Sequence, residues 1–358
     1  MKSAILLEEF SRIGGGQSVT KAILSVMQDE FIFDIITDKS HVNLDRSLYN
    51  KILVTRYLYY DGINYAKLLS SIVKLTADIK QNKPYIDSHA ISINNHPNIF
   101  LFDADINIVH EPFLSDNIIA GPFAKKIINE LIRISGVYSL YSEALFILAG
   151  EYIKKKIEND CKLLKIKPRL MTMHYPVDYP TTIDFSRKKK YILTFGRINP
   201  DKNLETVMKI ASRSSATFVI AGAVNSGSVE YFKELMRVRP NNVLIIPNPS
   251  EEKKKELFTE ATVYLHTKPS ESYGLSVAEA IGYGCVPVVP RRGGPWEDMI
   301  ELGKYGFGYS SVEEASDLIE NVVSEKISKF KYIYDSRHRF SLDSFSNAFL
   351  EVVHSLIT

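Results

Sequence analysis

PSESYGLSVAEAIGYGCVPVVP, residues 269–290, is the stretch on which both fold and function turn. It reads as a loop, a glycine turn at Gly274, a helix, a second turn at Gly284 and a buried strand, VPVVP. Two glutamates, Glu271 and Glu279, stand eight positions apart across the first turn. They are either acids on a solvated surface or the walls of a pocket for a phosphorylated ligand. Backbone N–H groups at such a helix start bind phosphate oxygens, which would make Tyr273, Gly274, Leu275 and Ser276 anion contacts. An acid in the first turn also offsets the helix dipole, so Glu279 serves either reading.

Working outward, the pattern restarts after a polar linker, TTIDFSRKKK, residues 181–190. The strand YILTFG precedes the helix NLETVMKIASR, TFVIAG precedes VEYFKELMRV, and NVLIIP precedes EEKKKELFTEA. VYLHT then leads into the opening stretch, and a helix near Val312 to Val323 follows VPVVP. Such alternation predicts an α/β chain with parallel sheets. The linker marks a domain boundary, and its basic run, Arg187 to Lys190, reads as a solvated collar before a strand.

The first half opens with a strand at Ala4 to Leu7, three glycines at 14–16, a helix from about Gln17 to Met27 and a strand at Phe31 to Ile36. INIVHEP predicts a further strand stopped by Pro112. The segment from Ile127 to Leu164 reads as helical, ending in the charged EYIKKKIENDCKLLK.

The chain has 358 residues, enough for two domains, and its 45% hydrophobic content suffices for two cores. A formal charge of +2 excludes a general polyanion binder, so no nucleic-acid partner is expected. The N-terminal apolar run meets Glu8 and Glu9 at once, unlike a signal peptide. No run reaches the roughly 18 apolar residues of a membrane span. Cys161 and Cys285 lie far apart and form no metal cluster. A soluble, cytoplasmic protein is the expectation.

Two further features carry chemistry. Gly15 and Gly16, between a strand and a helix, make either a tight turn or a close backbone approach to an anion. A dinucleotide site is also open there, although Gly14-x-Gly16-x-x-Val19 lacks the third glycine, with Asp34 and Asp38 near the acidic position. FGRINPDKN sets Arg197 and Lys202 beyond a strand's C-terminal end, where open α/β sheets bind ligands. Two cations there neutralise a diphosphate, or else are solvated surface charges.

The order of a glycine loop, a GR…K pair, VIAG and then E-x7-E with GYGCVPVV resembles the retaining nucleotide-sugar glycosyltransferases of family four. The resemblance runs from Gly14 to about Gly294 and is most specific in the second half. It implies the GT-B fold: two Rossmann-like domains with a cleft between them, at 1–182 and 183–340, and a C-terminal helix at 341–358 crossing back to the first domain. HYPVDY, residues 174–179, resembles the interdomain segment, with Val177-Asp178 as the hinge. It also implies roles: Glu271 facing the donor sugar, Glu279 holding the ribose, Arg197 and Lys202 gripping the diphosphate, and Gly15 and Gly16 in the glycine loop. A histidine near the sugar maps to His110 or His96, and His110 is preferred because it ends a strand just before Pro112. The family implies no metal and no other cofactor. Asp103 and Asp105 read DAD but fall in the acceptor half.

The expected activity is therefore transfer of a hexosyl group from a nucleotide diphosphate sugar to an acceptor hydroxyl with retention. The rivals are a GT-B epimerase or hydrolase, a non-catalytic sugar-nucleotide-binding subunit, and a Rossmann oxidoreductase. The loop at Asn248 and Pro249 is expected to touch the base. Lys125, Lys126 and Arg133 lie on FAKKIINELIRI, which leaves a glycan or lipid-linked acceptor, with peripheral membrane contact, beside an ordinary amphipathic helix.

Overall fold

The computed structural model describes residues 1–8, 15–37, 44–54, 83–95, 104–112 and 144–358. These form two compact units: Met1–Pro176 with Leu342–Thr358, and Val177–Ser341. Gly14, Asp38, His96, Asp103 and the stretch 123–134 lie outside the described residues.

Among the described residues the first unit holds seven strands: β1 Lys2–Leu7, β2 Phe31–Thr37, β3 Tyr49–Val54, β4 Ile91–Asn94, β5 Ile106–Val109, β6 Leu145–Leu148 and β7 Arg169–Thr172. Their order is β3-β2-β1-β4-β5-β6-β7, and all pairings are parallel. β4, β5 and β6 are buried along their whole length. Strands covered on both faces show apolar runs rather than alternation, which explains INIV and LFIL. The asparagines within them satisfy each other, Asn94 Nδ2 donating to Asn107 Oδ1 at 3.0 Å.

LFIL corrects the sequence reading. A continuous helix was expected over Ile127 to Leu164; residues 127–143 lie outside the described ones, β6 occupies Leu145–Leu148, and a separate helix runs over Glu151–Leu164. A four-residue apolar run has no periodicity that separates strand from buried helix, and pairing with β5 and β7 decides it. The C-terminal helix Leu342–Ile357 packs on the helix Gly15–Met27 within this unit. It buries Phe345, Phe349, Val352 and Val353, one apolar stripe at helical spacing. Each such side chain contributes about 1.5–3 kcal/mol by leaving water.

The second unit holds β8 Lys189–Phe195, β9 Thr217–Gly222, β10 Val243–Pro247, β11 Ala261–Leu265, β12 Val286–Pro290 and β13 Phe307–Tyr309. The order is β10-β9-β8-β11-β12-β13, again all parallel. Strand order thus reverses between β1 and β4 in one sheet and between β8 and β11 in the other. At such a reversal the loops leaving neighbouring strands diverge and open a crevice at the strands' carboxyl ends.

Gly222 shapes that edge of the second unit. Its φ is +151°, and a Cβ there would sit 1.6 Å from Gly196 O. Only glycine lets the end of β9 touch the residue that follows β8. Ile198 N then donates to Ala223 O at 2.8 Å, fixing the loop that carries Arg197.

The basic collar is corrected at one position. Arg187, Lys189 and Lys190 are exposed, but Lys188 turns inward and donates to Phe258 O at 3.1 Å and Ala261 O at 2.7 Å. These carbonyls close the helix Glu251–Glu260, whose negative dipole end accounts for the buried ammonium.

Candidate functional site

Beyond β8 the chain runs through Gly196 and Arg197 into a short 3-10 turn, Pro200–Lys202. Beyond β11 come His266, Thr267 and Lys268. Two hydrogen bonds bind these loops: Thr267 Oγ1 donates to Lys202 O at 2.8 Å, and Asn203 Nδ2 donates to Thr267 O at 3.1 Å. Asn203 allows this by adopting a left-handed conformation, φ 53°. Between the strand ends lies a small, partly open pocket lined by Arg197, Lys202, Tyr264, His266, Thr267 and Ser276 among others.

Lys202 and Glu271 form an ion pair, and Lys268 Nζ stands 3.9 Å from the same carboxylate. Burial alone would raise the Glu271 carboxyl. The charges of Lys202 and Lys268 overcome it and hold the group down at about 2. Glu271 is therefore a fixed anion. Burial pushes His266 down to about 4, so its ring is neutral, and Nε2 lies 3.1 Å from Lys268 O. A carbonyl only accepts, so Nε2 carries the proton.

The helix Leu275–Gly282 begins at Gly274, φ +102°, with no side chain capping it. A Cβ on Gly274 would come within 2.9 Å of the Pro295 ring. Its first-turn N–H groups are thus presented by backbone geometry, an arrangement suited to anions. Arg197 is exposed and makes no ion pair among the described residues. Tyr273 is buried, and Leu275 and Ser276 are partly so.

Glu279 is held separately, accepting from Lys254 Nζ at 2.6 Å. Burial raises its carboxyl against the pull of that ammonium. Replacing Lys254 with methionine is expected to cost about 3 kcal/mol at neutral pH, because one charge of a buried pair is left behind. Glu279 would then be raised further above its unfolded value. A carboxyl raised in the folded state destabilises above its unfolded pKa, so the variant should regain stability as pH falls. Urea unfolding at pH 7.5 and pH 5 checks this, and the Lys254→Met/Glu279→Gln double variant should recover most of the loss.

In the first unit the carboxyl ends of β1, β4 and β5 bring together Glu8, Asn95 and His110. Asn95 Nδ2 donates to Glu8 Oε2 at 2.6 Å, to Thr20 Oγ1 at 2.7 Å and to Gly16 O at 3.0 Å. Thr20 also donates to Glu8 Oε2. His110 Nε2 lies 2.8 Å from Asn95 Oδ1, its ring edge-on to Tyr175 at 5.5 Å. Gly15 starts the helix Gly15–Met27, and a Cβ on Gly16 would sit 3.9 Å from His110 Nε2. Burial pushes His110 down to about 4.

The sequence reading named Arg197, Lys202, Glu271 and Ser276, which converge on the β8–β11 reversal, and Gly16 with His110, which adjoin in the first unit. It missed Lys254, His266, Lys268, Glu8 and Asn95. His266 and Asn95 carry a legible signal, since each follows a predicted or apolar strand at its carboxyl end. The lysines do not, because their partners are distant in sequence. Asp105 accepts from Ser92 N at 2.8 Å and Ser92 Oγ at 2.7 Å, a structural bond between β4 and the residue that leads into β5. Asn248 likewise ties strand ends, with Oδ1 accepting from Val224 N at 2.8 Å.

These two doubly wound sheets define the class: a GT-B fold of two Rossmann-like units. The chain superposes over 99% of its length on the whole of HepE from Anabaena, solved with UDP and glucose, with TM-score 0.71 and 15% identity. Sucrose-phosphate synthase from Thermosynechococcus elongatus gives TM-score 0.72 with 12% identity, covering 99% of each chain. Residues 180–341, nearly the whole of the second unit, match the family model of glycosyl transferases group 1. The GDP-Man:Man(3)GlcNAc(2)-PP-Dol alpha-1,2-mannosyltransferase of Dictyostelium discoideum is 27% identical over 191 residues, 48% of this chain and 38% of the relative. A glycogen synthase of Elusimicrobium minutum is 24% identical over 160 residues, 43% of this chain and 33% of that one. The chain thus spans less than half the length of these curated relatives. No helix among the described residues is long and apolar enough to cross a membrane.

Proposed function

We propose that the chain is a retaining hexosyltransferase that moves a hexosyl group from a nucleotide diphosphate sugar to an acceptor hydroxyl. The observation that carries this reading is the cluster at the β8–β11 reversal. There Arg197, Lys202 and the uncapped helix start at Ser276 surround one pocket, with the ionised Glu271 fixed against Lys202. As the bond to the sugar breaks, negative charge grows on the leaving diphosphate. Preorganised cations and N–H groups stabilise that charge without rearranging. Glu271 is proposed to face the sugar and Glu279 the ribose. His110 is proposed as a second catalytic residue, supplied by the first unit.

The acceptor is proposed to be a glycan or a lipid-linked glycan, following the names of the mannosyltransferase relatives. Donors of both GDP and UDP type belong in any trial, since those relatives' names carry GDP and the HepE structures hold UDP. The test needs no acceptor: slow hydrolysis of each α-linked donor is followed by proton NMR. Initial release of the α anomer supports retention. Initial release of the β anomer contradicts it.

A further inference from the structure

The cluster around Glu8 has a geometry that fixes protons. Glu8 is 3% exposed and Asn95 1%, so their polar atoms depend on one another. The amide of Asn95 has one accepting end and one donating end. Its donating end faces Glu8 Oε2 at 2.6 Å, an oxygen that also accepts from Thr20, and the Gly16 carbonyl at 3.0 Å, so both are acceptors. Turning the amide over would set Oδ1 against both acceptors, leaving two buried clashes of like polarity. The accepting end therefore points at His110 Nε2, 2.8 Å away. An acceptor there requires a proton on that nitrogen.

We infer that Asn95, oriented by Glu8 and Gly16, is a positioning residue that locks His110 as the Nε2–H tautomer and leaves Nδ1 as its working nitrogen. His110 then offers a ligand hydroxyl a hydrogen-bond acceptor rather than a donor. Sequence logic places the device well: Glu8, Asn95 and His110 each follow a strand, β1, β4 and β5, and β1 and β4 flank the reversal of strand order. The helix Gly15–Met27 supplies Gly16 O and Thr20 from its first two turns. Tyr175 adds an edge-on ring contact and restrains the imidazole plane. The inference rests on the proposed function only for what His110 acts upon.

The full chain labelled with 15N-histidine tests it, using two-bond ring correlations to read the tautomer. His110→Gln identifies the resonance. At pH 7 the wild type should give the Nε2–H pattern for His110. Asn95→Leu removes the acceptor beside Nε2 and leaves Glu8 in place, so the ring should move from a pure Nε2–H pattern to a mixture of both tautomers. An Nδ1–H or mixed pattern in the wild type overturns the inference, as does an unchanged pure Nε2–H pattern in Asn95→Leu. Should that variant fail to fold, the wild-type spectrum decides alone. In turnover, Asn95→Leu should lower kcat about 10²-fold with the donor KM nearly unchanged. A protein with the Nε2–H pattern and no transfer from any donor would keep the tautomer lock and remove the transferase reading.

Discussion

Lys202→Ala is expected to lower transfer about 10²–10³-fold, the range seen when one preorganised group is removed from developing charge. The same change should destabilise the chain. Glu271 is only 15% exposed at its side chain and loses its nearest cation, leaving Lys268 at 3.9 Å. Removing one partner of a buried pair costs about 3–5 kcal/mol, and the remaining lysine with partial solvent access puts this case near the lower end. Lys202→Arg keeps the charge and should retain most of the stability while losing part of the turnover, because a fork replaces a point charge. Steady-state kinetics beside urea unfolding separates the two effects. Unchanged turnover in Lys202→Ala would remove the lysine from the donor site.

Glu271→Gln should abolish measurable transfer while retaining the fold, since the amide keeps the shape and loses only the charge. Its second signature is in acid. The Glu271 carboxyl is held at about 2 in the folded chain, below its ordinary value of 4.5. A depressed carboxyl contributes stability that is present above 4.5 and is lost as pH falls through about 2. The wild type should therefore lose stability across that window more steeply than Glu271→Gln. Parallel curves for the two proteins would mean that the carboxylate is not held by Lys202 and Lys268 in solution.

The second unit was largely legible in the sequence, and the reasons are local. Four of the six strands there, β8, β9, β10 and β12, are apolar runs closed by glycine or proline. PSESYGLS adds a turn at which Gly274 takes φ +102°, a conformation that favours glycine. The edge strand Phe307–Tyr309 was not legible, because three residues carry no period. Lys188 was misjudged because a basic run looks solvated until the helix end it caps is folded beside it. LFIL was misjudged for want of its neighbours β5 and β7.

The site divides in the same way. Arg197, Lys202 and Glu271 could be named from strand ends and from the family pattern, but their mutual contact could not. That Lys202 meets Glu271 across 69 positions of sequence is a product of β8 lying beside β11. Lys254 reaches Glu279 from a separate helix, and Glu8 reaches Asn95 across 87 positions. Asn95 is marked by following a strand, but Lys254 has no sequence signal of its own, and neither pairing is visible in the sequence.

The central claim is that the second unit holds a nucleotide diphosphate through Arg197, Lys202 and the helix start at Ser276. The most direct measurement is thermal unfolding of the full chain with UDP, GDP, ADP and dTDP, and their sugar conjugates, with and without EDTA. The account predicts a rise in Tm with one nucleotide family, unchanged by EDTA and lost in a variant carrying both Arg197→Ala and Lys202→Ala. A chain whose Tm moves with none of them, or equally in that double variant, would contradict it.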